Sequence, residues 1–268
     1  MTAEFVLSGA GHSYGPAIRA LDGIDLTVEA GEHVAVVGAN GSGKSTLLKM
    51  LDGLAFCTAG TITAAGRPLT EEALEDPAFR REFRSRVGFV FQDADVQLFC
   101  NTVFDELAFG PLQLGLDHED VRSRVAEVAA SLRIERLLDR APYTLSGGEK
   151  KRVAIASVLT MRPQVLLMDE PTNALDPSSQ VWLLDVLDEW KRAGRTVVIA
   201  THDLSAAAES CDRMIVLSEE HRIVADGTPE EVLAQRDLLL WVNLIHQHSH
   251  RHGADRHVHP HAHEHEHA

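Results

Sequence analysis

The chain has 268 residues, 44% of them hydrophobic, enough to bury a sizeable core in one large domain or two small ones. Its 40 acidic against 25 basic residues leave a formal charge of −15. That balance excludes, as a first expectation, a nucleic-acid partner, whose phosphates call for clustered Lys and Arg.

Three cysteines, Cys57, Cys100 and Cys211, form no CxxC pair and point to a reducing compartment. The first residues carry Glu4 and no basic start followed by a long apolar stretch, so no secretory signal is expected. Apolar runs such as Leu238–Val242 fall far short of the roughly 20 residues of a bilayer-crossing helix. Any membrane role is expected to come through a partner.

Up to about residue 90 the chain reads as strands broken by turns, with one helix in the middle. Asp25–Glu29 alternates apolar and polar side chains, Ala30–Gly31 turns, and His33–Val37 is a short apolar run ending at Gly38. A helix from about Lys44 to Leu54 follows. Gly60–Thr63 and Gly66–Pro68 form a second strand-and-turn stretch, ahead of a charged segment at Arg80–Arg86 and an apolar strand at Val87–Phe91. From about 93 to 160 the pattern is mainly helical: Val121, Val125, Val128, Ala129 and Leu132 recur at helical spacing, and Ser146 is placed to cap a helix through Val153 and Val158. Pro111 reads as a helix stop. Strand and helix then alternate through Val165–Met168, Val181–Trp190, Thr196–Ala200, a short helix near Ala206, and Met214–Leu217. Such alternation predicts an α/β class with a largely parallel sheet covered on both faces.

Gly38-Ala39-Asn40-Gly41-Ser42-Gly43-Lys44-Ser45, followed by Thr46, fits GxxxxGK[ST] between an apolar strand and a helix, where the pattern has mechanical meaning. Its glycines let backbone N–H groups close around phosphate oxygens, and the helix N-terminus adds partial positive charge. Lys44 is expected to reach the β- and γ-phosphates and the Ser45 hydroxyl to bind Mg²⁺. The loop alone says nucleoside triphosphate, since kinases, GTPases and ATPases share it. The strand Val165–Met168 supplies the other half, delivering Asp169 toward the metal and Glu170 toward the γ-phosphate at the edge where open α/β sheets bind ligands. Ser146-Gly147-Gly148, at a helix start, is a second anion-binding nest.

With these motifs in order, the chain up to about residue 235 resembles the ATP-binding subunit of ABC transporters. An aromatic, Tyr14, precedes the phosphate loop, and Gln92, Leu145-Ser146-Gly147-Gly148-Glu149, Asp169-Glu170, Asp176 and His202 follow as successive stations. The resemblance implies an ABC-type P-loop NTPase with a RecA-like parallel-sheet core, an N-terminal antiparallel β-subdomain and a helical subdomain insertion. Residues 1–245 would form the ATP-binding domain, with the helical subdomain at about 93–160. It also implies ATP as nucleotide and Mg²⁺ held by Ser45, Gln92 and Asp169. By the same resemblance Tyr14 stacks on adenine, while Gly38, Asn40, Gly41, Ser42, Gly43, Lys44, Ser45 and Thr46 bind the phosphates. Gln92 would contact Mg²⁺ and the attacking water, Glu170 would be the general base, and His202 would grip the γ-phosphate. Asp176 belongs to a segment facing the opposite subunit, although Ala174 stands where Gly is common. Ser146, Gly147 and Gly148 would close on a partner subunit's nucleotide. Two cassettes are therefore required, a homodimer being expected ahead of a heterodimer.

Phe91-Gln92-Asp93-Ala94-Asp95-Val96-Gln97-Leu98-Phe99 and Thr102–Gly115 look like the ATPase subunits of energy-coupling-factor importers, the cobalt, nickel and vitamin group, with Asp93-Ala94 where that group commonly has Asn-Pro. Exposed Leu98 and Phe99 on a glutamine-anchored loop are expected to form a groove for a partner's helix. From His246 to Ala268, ten of 23 residues are histidine, and His257, His259, His261, His263, His265 and His267 fall at every second position. Pro260 argues against a helix, leaving a flexible tail able to gather imidazoles around Ni²⁺, Co²⁺ or Zn²⁺. Loop and tail together predict the ATP-hydrolysing subunit of a nickel or cobalt importer. It would sit on the cytoplasmic face of the membrane, peripheral, with a transmembrane coupling subunit and a metal-specific membrane subunit as partners. A vitamin importer of the same type is the alternative. A soluble ABC ATPase of DNA repair or translation is disfavoured by the single cassette, the lack of a heptad run and the acidic charge. A metal-inserting GTPase would need an Asn/Thr-Lys-x-Asp element, which the sequence lacks.

Overall fold

The computed structural model describes residues 2–15, 18–173, 175–252 and 255–262, with side chains described as far as Ile245. In chain order the first half runs β1 (Ala3–Tyr14), β2 (Ile18–Glu29), β3 (His33–Gly38), α1 (Lys44–Leu51), β4 (Ala59–Ala64), β5 (Arg67–Pro68), α2 (Glu71–Glu75), α3 (Pro77–Arg86) and β6 (Val87–Val90). The helical stretch follows, with α4 (Ala94–Gln97), α5 (Val103–Gln113), α6 (His118–Ser131) and α7 (Gly147–Leu159). The chain continues through β7 (Val165–Asp169), α8 (Pro177–Arg192), β8 (Thr196–Thr201), α9 (Leu204–Ser210), β9 (Arg213–Leu217) and β10 (Ile223–Gly227). It ends with α10 (Pro229–Leu233), α11 (Arg236–Trp241), β11 (Ile245–His252) and β12 (Asp255–Ala262).

A six-stranded sheet, ordered β10-β9-β3-β8-β7-β6, forms the centre. Its strands are parallel except for β10, which runs against β9. Every residue of β3, β6, β7 and β8 is buried, and this is why they read as unbroken apolar runs: both faces are covered. Val34, Val36, Leu167 and Val198 pack on one side with α1 and a four-stranded sheet ordered β2-β1-β4-β5, antiparallel throughout. Ala35, Val37, Leu166 and Val197 pack on the other with α5 to α9. The alternation thus bonds two layers to one sheet and delivers the C-terminal ends of β3, β6, β7 and β8 to a single edge. Among the described residues no helix is long and apolar enough to cross a membrane.

Three segments differ from the sequence reading. The charged stretch at Arg80–Arg86 is the body of α3, capped by the Asp76 carboxylate, which accepts from Ala78 N and Phe79 N, and anchored by buried Phe79 and Phe83 one turn apart. Pro111 does not stop its helix but lies inside α5. A proline there removes the donor for the carbonyl four residues earlier, and Thr160, at the end of α7, supplies a shared replacement: its Oγ1 lies 2.9 Å from Leu107 O and 2.8 Å from Ser157 O. The helix runs on to Gln113 before turning at Gly115. The tail, expected as a flexible chain, has backbone paired into an antiparallel two-stranded sheet, with His246 opposite His261, His248 opposite His259 and His250 opposite His257. Histidine at every second position is the period of a strand, and Pro260 is tolerated because each strand of a two-stranded sheet has a free edge. His263, His265 and His267 lie outside the described residues.

Thr160→Val keeps the shape of the side chain and leaves the Leu107 carbonyl without its donor. The expected result is a loss of about 1–3 kcal/mol in denaturant unfolding, with Thr160→Ser close to the parent.

Candidate functional site

The phosphate loop begins where β3 ends. Gly43 has φ 107°, and a Cβ there would stand 2.3 Å from the Ala20 carbonyl, so only glycine fits the turn into α1. No side chain caps α1 and no acid occupies its first turn, which leaves its leading N–H groups open to an anion. Lys44 Nζ donates to Gly38 O at 2.8 Å and stands 3.6 Å from Glu170 Oε1. Burial lowers the Lys44 pKa, against the opposing pull of Glu170 and Asp169.

Asp169 and Glu170 come from the end of β7. Asp169 Oδ1 accepts from Ser45 Oγ at 3.0 Å. Burial raises the Asp169 pKa, the Ser45 bond lowers it, and the Glu170 charge raises it again. A hydroxyl and a carboxylate this close, with the Gln92 amide lining the same cleft, are hard oxygen donors of the kind Mg²⁺ takes. Glu170 is 5% exposed and adopts φ 43°, an uncommon conformation for a residue with a Cβ. Its N–H is fixed to Ala200 O at 2.8 Å, while Oε2 accepts from His202 Nδ1 at 2.9 Å and Thr201 Oγ1 at 3.2 Å. An ionised carboxylate only accepts, so His202 carries its proton on Nδ1 in this arrangement. The structure therefore ties His202, expected at the γ-phosphate, to the Glu170 carboxylate.

Of these groups Lys44, Ser45 and Glu170 face a cleft of about 380 Å³, which Tyr14, Asn40, Gly41, Gly43, Thr46 and Gln92 line with them. Tyr14 stands half-exposed at its mouth, with its hydroxyl 3.3 Å from Thr46 Oγ1 and its ring edge-on to His12. His221, which sequence reasoning missed, lines the cleft as well. From the turn between β9 and β10 its Nδ1 donates to Ser42 O at 3.2 Å, and its own carbonyl accepts from Asp22 N at 3.0 Å. Nothing local in the sequence marks it, because its partner is 179 positions away.

Ser146, Gly148 and Asp176 are brought together in a second depression, also about 380 Å³, which shares no lining residue with the first. Ser146 caps α7 in a reciprocal box: its Oγ accepts from Glu149 N and its own N–H donates to Glu149 Oε2 at 3.1 Å. Gly147 is open to solvent-side approach, and a Cβ on Gly148 would stand 3.6 Å from Asp176 Oδ2. Asp176 caps α8, and the hydroxyls of Ser178 and Ser179 hold its carboxyl down at about 2. Ala174 lies outside the described residues.

A third feature, a groove of about 550 Å³, runs between α3 and α5. Phe99 is 66% exposed on its wall, edge-on to Phe109 at 5.0 Å. Leu98, expected to be exposed with it, is half-buried against the core, because Gln97 beside it is fastened to Ala154 O and Phe91 N. Asp52, just past the end of α1, accepts from Arg84 of α3 at 2.9 Å, and burial pushes its carboxyl up to about 6. Among the described residues no group of three or more His, Cys, Asp or Glu gathers as a metal site.

Residues 21–173 match the ABC transporter family model. The chain is 50% identical over 248 residues to the nickel import ATP-binding protein NikO of Rhodobacter capsulatus, covering 91% of this chain and 97% of NikO. It is 44% identical over 234 residues to the energy-coupling factor transporter ATP-binding protein EcfA of Methanoculleus marisnigri, covering 87% and 82%. Among solved structures, cbiO1 of Clostridium perfringens, part of the ABC transporter complex cbiONQ, superposes with a TM-score of 0.77 at 35% identity, covering 91% of this chain and 96% of that one. The dimeric ATP-binding cassette MJ0796, bound to ADP and Pi after hydrolysis, gives 0.76 at 28% identity, covering 84% and 98%. The separate phosphate-loop and Ser146 faces, the strand-end carboxylates and these relatives together make the chain a member of the ABC transporter family, an ATPase subunit of the energy-coupling-factor type.

Proposed function

We propose that this chain is the motor of a transition-metal importer, nickel or cobalt being the cargo, and that it works as a dimer in which each ATP lies between two copies. The observation that carries the motor reading is the separation of the two half-sites. Lys44 and Glu170 face one depression and Ser146 and Gly148 another, so one chain offers half of each of two sandwiches. A second copy turned about a two-fold axis completes both. That MJ0796 was solved as a dimer with ADP and Pi supports this arrangement.

Within the sandwich, the open N–H groups of α1 and the Lys44 ammonium take the phosphates, and Tyr14 takes the adenine face. Mg²⁺, held by Ser45, Asp169 and Gln92, would supply charge neutralisation at the β- and γ-oxygens. Glu170 accepts the proton of the attacking water. His202 and Thr201 hold that carboxylate in place, and the Ser146 hydroxyl with the Gly147 and Gly148 amides covers the partner's γ-phosphate.

The α3–α5 groove fits an apolar helix end carrying both charges. Its floor is aromatic and aliphatic, and Arg80, Arg84, Asp52 and Glu106 stand around it. A membrane coupling subunit is its proposed occupant, a reading supported by the likeness to cbiO1, part of the ABC transporter complex cbiONQ. On this reading the protein works peripherally, on the cytoplasmic face of the membrane. The nickel named for NikO and the histidine tail support the metal cargo: strand register sets three histidine pairs opposite one another, a donor type suited to Ni²⁺, Co²⁺ and Zn²⁺.

Three outcomes follow from this reading. Glu170→Gln should keep ATP binding, lower turnover at least about 100-fold and accumulate an ATP-bound dimer in size-exclusion chromatography; undiminished turnover would remove Glu170 as the base. Phe99→Asp should leave the ATPase rate of the isolated chain within about twofold while abolishing co-purification with the membrane subunits, whose identity and the ion accumulated by cells expressing them decide the cargo. Removing residues 246–268 should abolish most Ni²⁺ binding in calorimetry and spare hydrolysis, and an ATPase lost with the tail would make the tail structural.

A further inference from the structure

Lys151 is 3% exposed on α7, five residues past Ser146, and forms no ion pair among the described residues. Its Nζ donates to the carbonyls of Phe91 at 3.1 Å and Gln92 at 2.9 Å. Burial pushes its pKa down to about 8. A buried ammonium whose hydrogen bonds go only to carbonyls carries a desolvation cost that the charges of Asp169, Asp93 and Glu170 offset in part, whereas an apolar side chain of the same length would pack there without desolvating a charge.

What Lys151 holds is a segment that has left the sheet. The β6–β7 ladder ends at Val90, so the backbone of Phe91 and Gln92 finds its partners elsewhere. Phe91 N donates to Gln97 Oε1 at 3.1 Å, and the same Gln97 amide donates to Ala154 O at 2.7 Å and Ser157 Oγ at 3.2 Å. The two free carbonyls go to Lys151. The backbone of the Gln92 turn is thus hydrogen-bonded to α7, while the Phe91 ring rests on Phe89 of β6 at 4.6 Å. The Ser146 turn opens the same helix, about 7.5 Å along the axis before Lys151, with no break in the helix between them.

We propose that Lys151 is a positioning residue that makes the Gln92 turn of one nucleotide site and the Ser146 turn serving the opposite site a single moving part, so that each site of the dimer senses the other. The inference rests on the sandwich reading above. A shift of Gln92 toward a bound nucleotide is carried by the ammonium to α7 and advances or withdraws Ser146. The coupling belongs to the two-state position of α7, not to ATP binding within one chain.

The test uses full-length chains in the Glu170→Gln background. Failure of Glu170→Gln itself to dimerise with ATP sinks the sandwich reading before any Lys151 variant is made. With a dimerising parent, Lys151→Met should bind a fluorescent ATP analogue as a monomer within about twofold of the parent, yet need about tenfold or more ATP to dimerise. In the hydrolysing chain, the Hill coefficient for ATP should fall from about 2 toward 1. Lys151→Gln, which keeps a donor, should recover part of both. Gln97→Glu cuts the second tie at a half-exposed position and should shift both readouts the same way, keeping the test open if Lys151→Met does not fold. Dimerisation at the parent's ATP concentration with an unchanged Hill coefficient overturns the proposal. So does a loss in which monomer ATP binding and thermal stability fall together and Lys151→Gln recovers nothing, since that marks a packing role only.

Discussion

The site depends on one carboxylate held from three directions. Glu170 leaves β7 at a backbone angle few residues adopt, and its place is fixed because β8, the next strand in the sheet, contributes Ala200 O to its N–H and Thr201 and His202 to its side chain. On the opposite flank, Lys44 reaches it from the loop after β3. The parallel register that pairs Asp169 with Ala200 brings these groups within hydrogen-bond range, so a one-residue slip of either strand would take the constellation apart.

Two buried lysines show how the surroundings set the use of a charge. Both are desolvated, which lowers the pKa of each. Lys44 has acids beside it and opens onto a cleft able to hold an anion, so its charge is available to a ligand. Lys151 feels the charges of Asp169, Asp93 and Glu170 as well, but it is enclosed and its hydrogen bonds go to the peptide carbonyls of Phe91 and Gln92, so its charge acts on backbone. The phosphate-loop pattern marks Lys44 in the sequence, whereas nothing local marks Lys151, although it too stands near the start of a helix after a glycine-rich turn.

What the sequence made legible was local. The apolar strands, the phosphate loop with its helix and the cap at Ser146 are each contained in a few consecutive residues, and each stands where it was expected. What escaped were contacts closed over long chain distances. His221 against Ser42 spans 179 positions, and Thr160 against Leu107, which lets α5 continue through Pro111, spans 53. The α3 helix was obscured for another reason. Its arginines dominate the composition, while the two phenylalanines that bury it are only one turn apart, too short a stretch for periodicity to declare itself. In the tail the sequence showed the period of two, but not that its earlier histidines would lie across from its later ones.

α1 is only eight residues long, about 12 Å of helix. One end is the phosphate loop. At the other, Asp52 is pinned by Arg84, whose side chain forms part of the wall of the α3–α5 groove. A rod of two turns, packed along its length by fully buried Leu47, Leu48, Met50 and Leu51, has little freedom to bend. A partner seated in that groove, as proposed, would therefore be one short, stiff strut away from the phosphate loop.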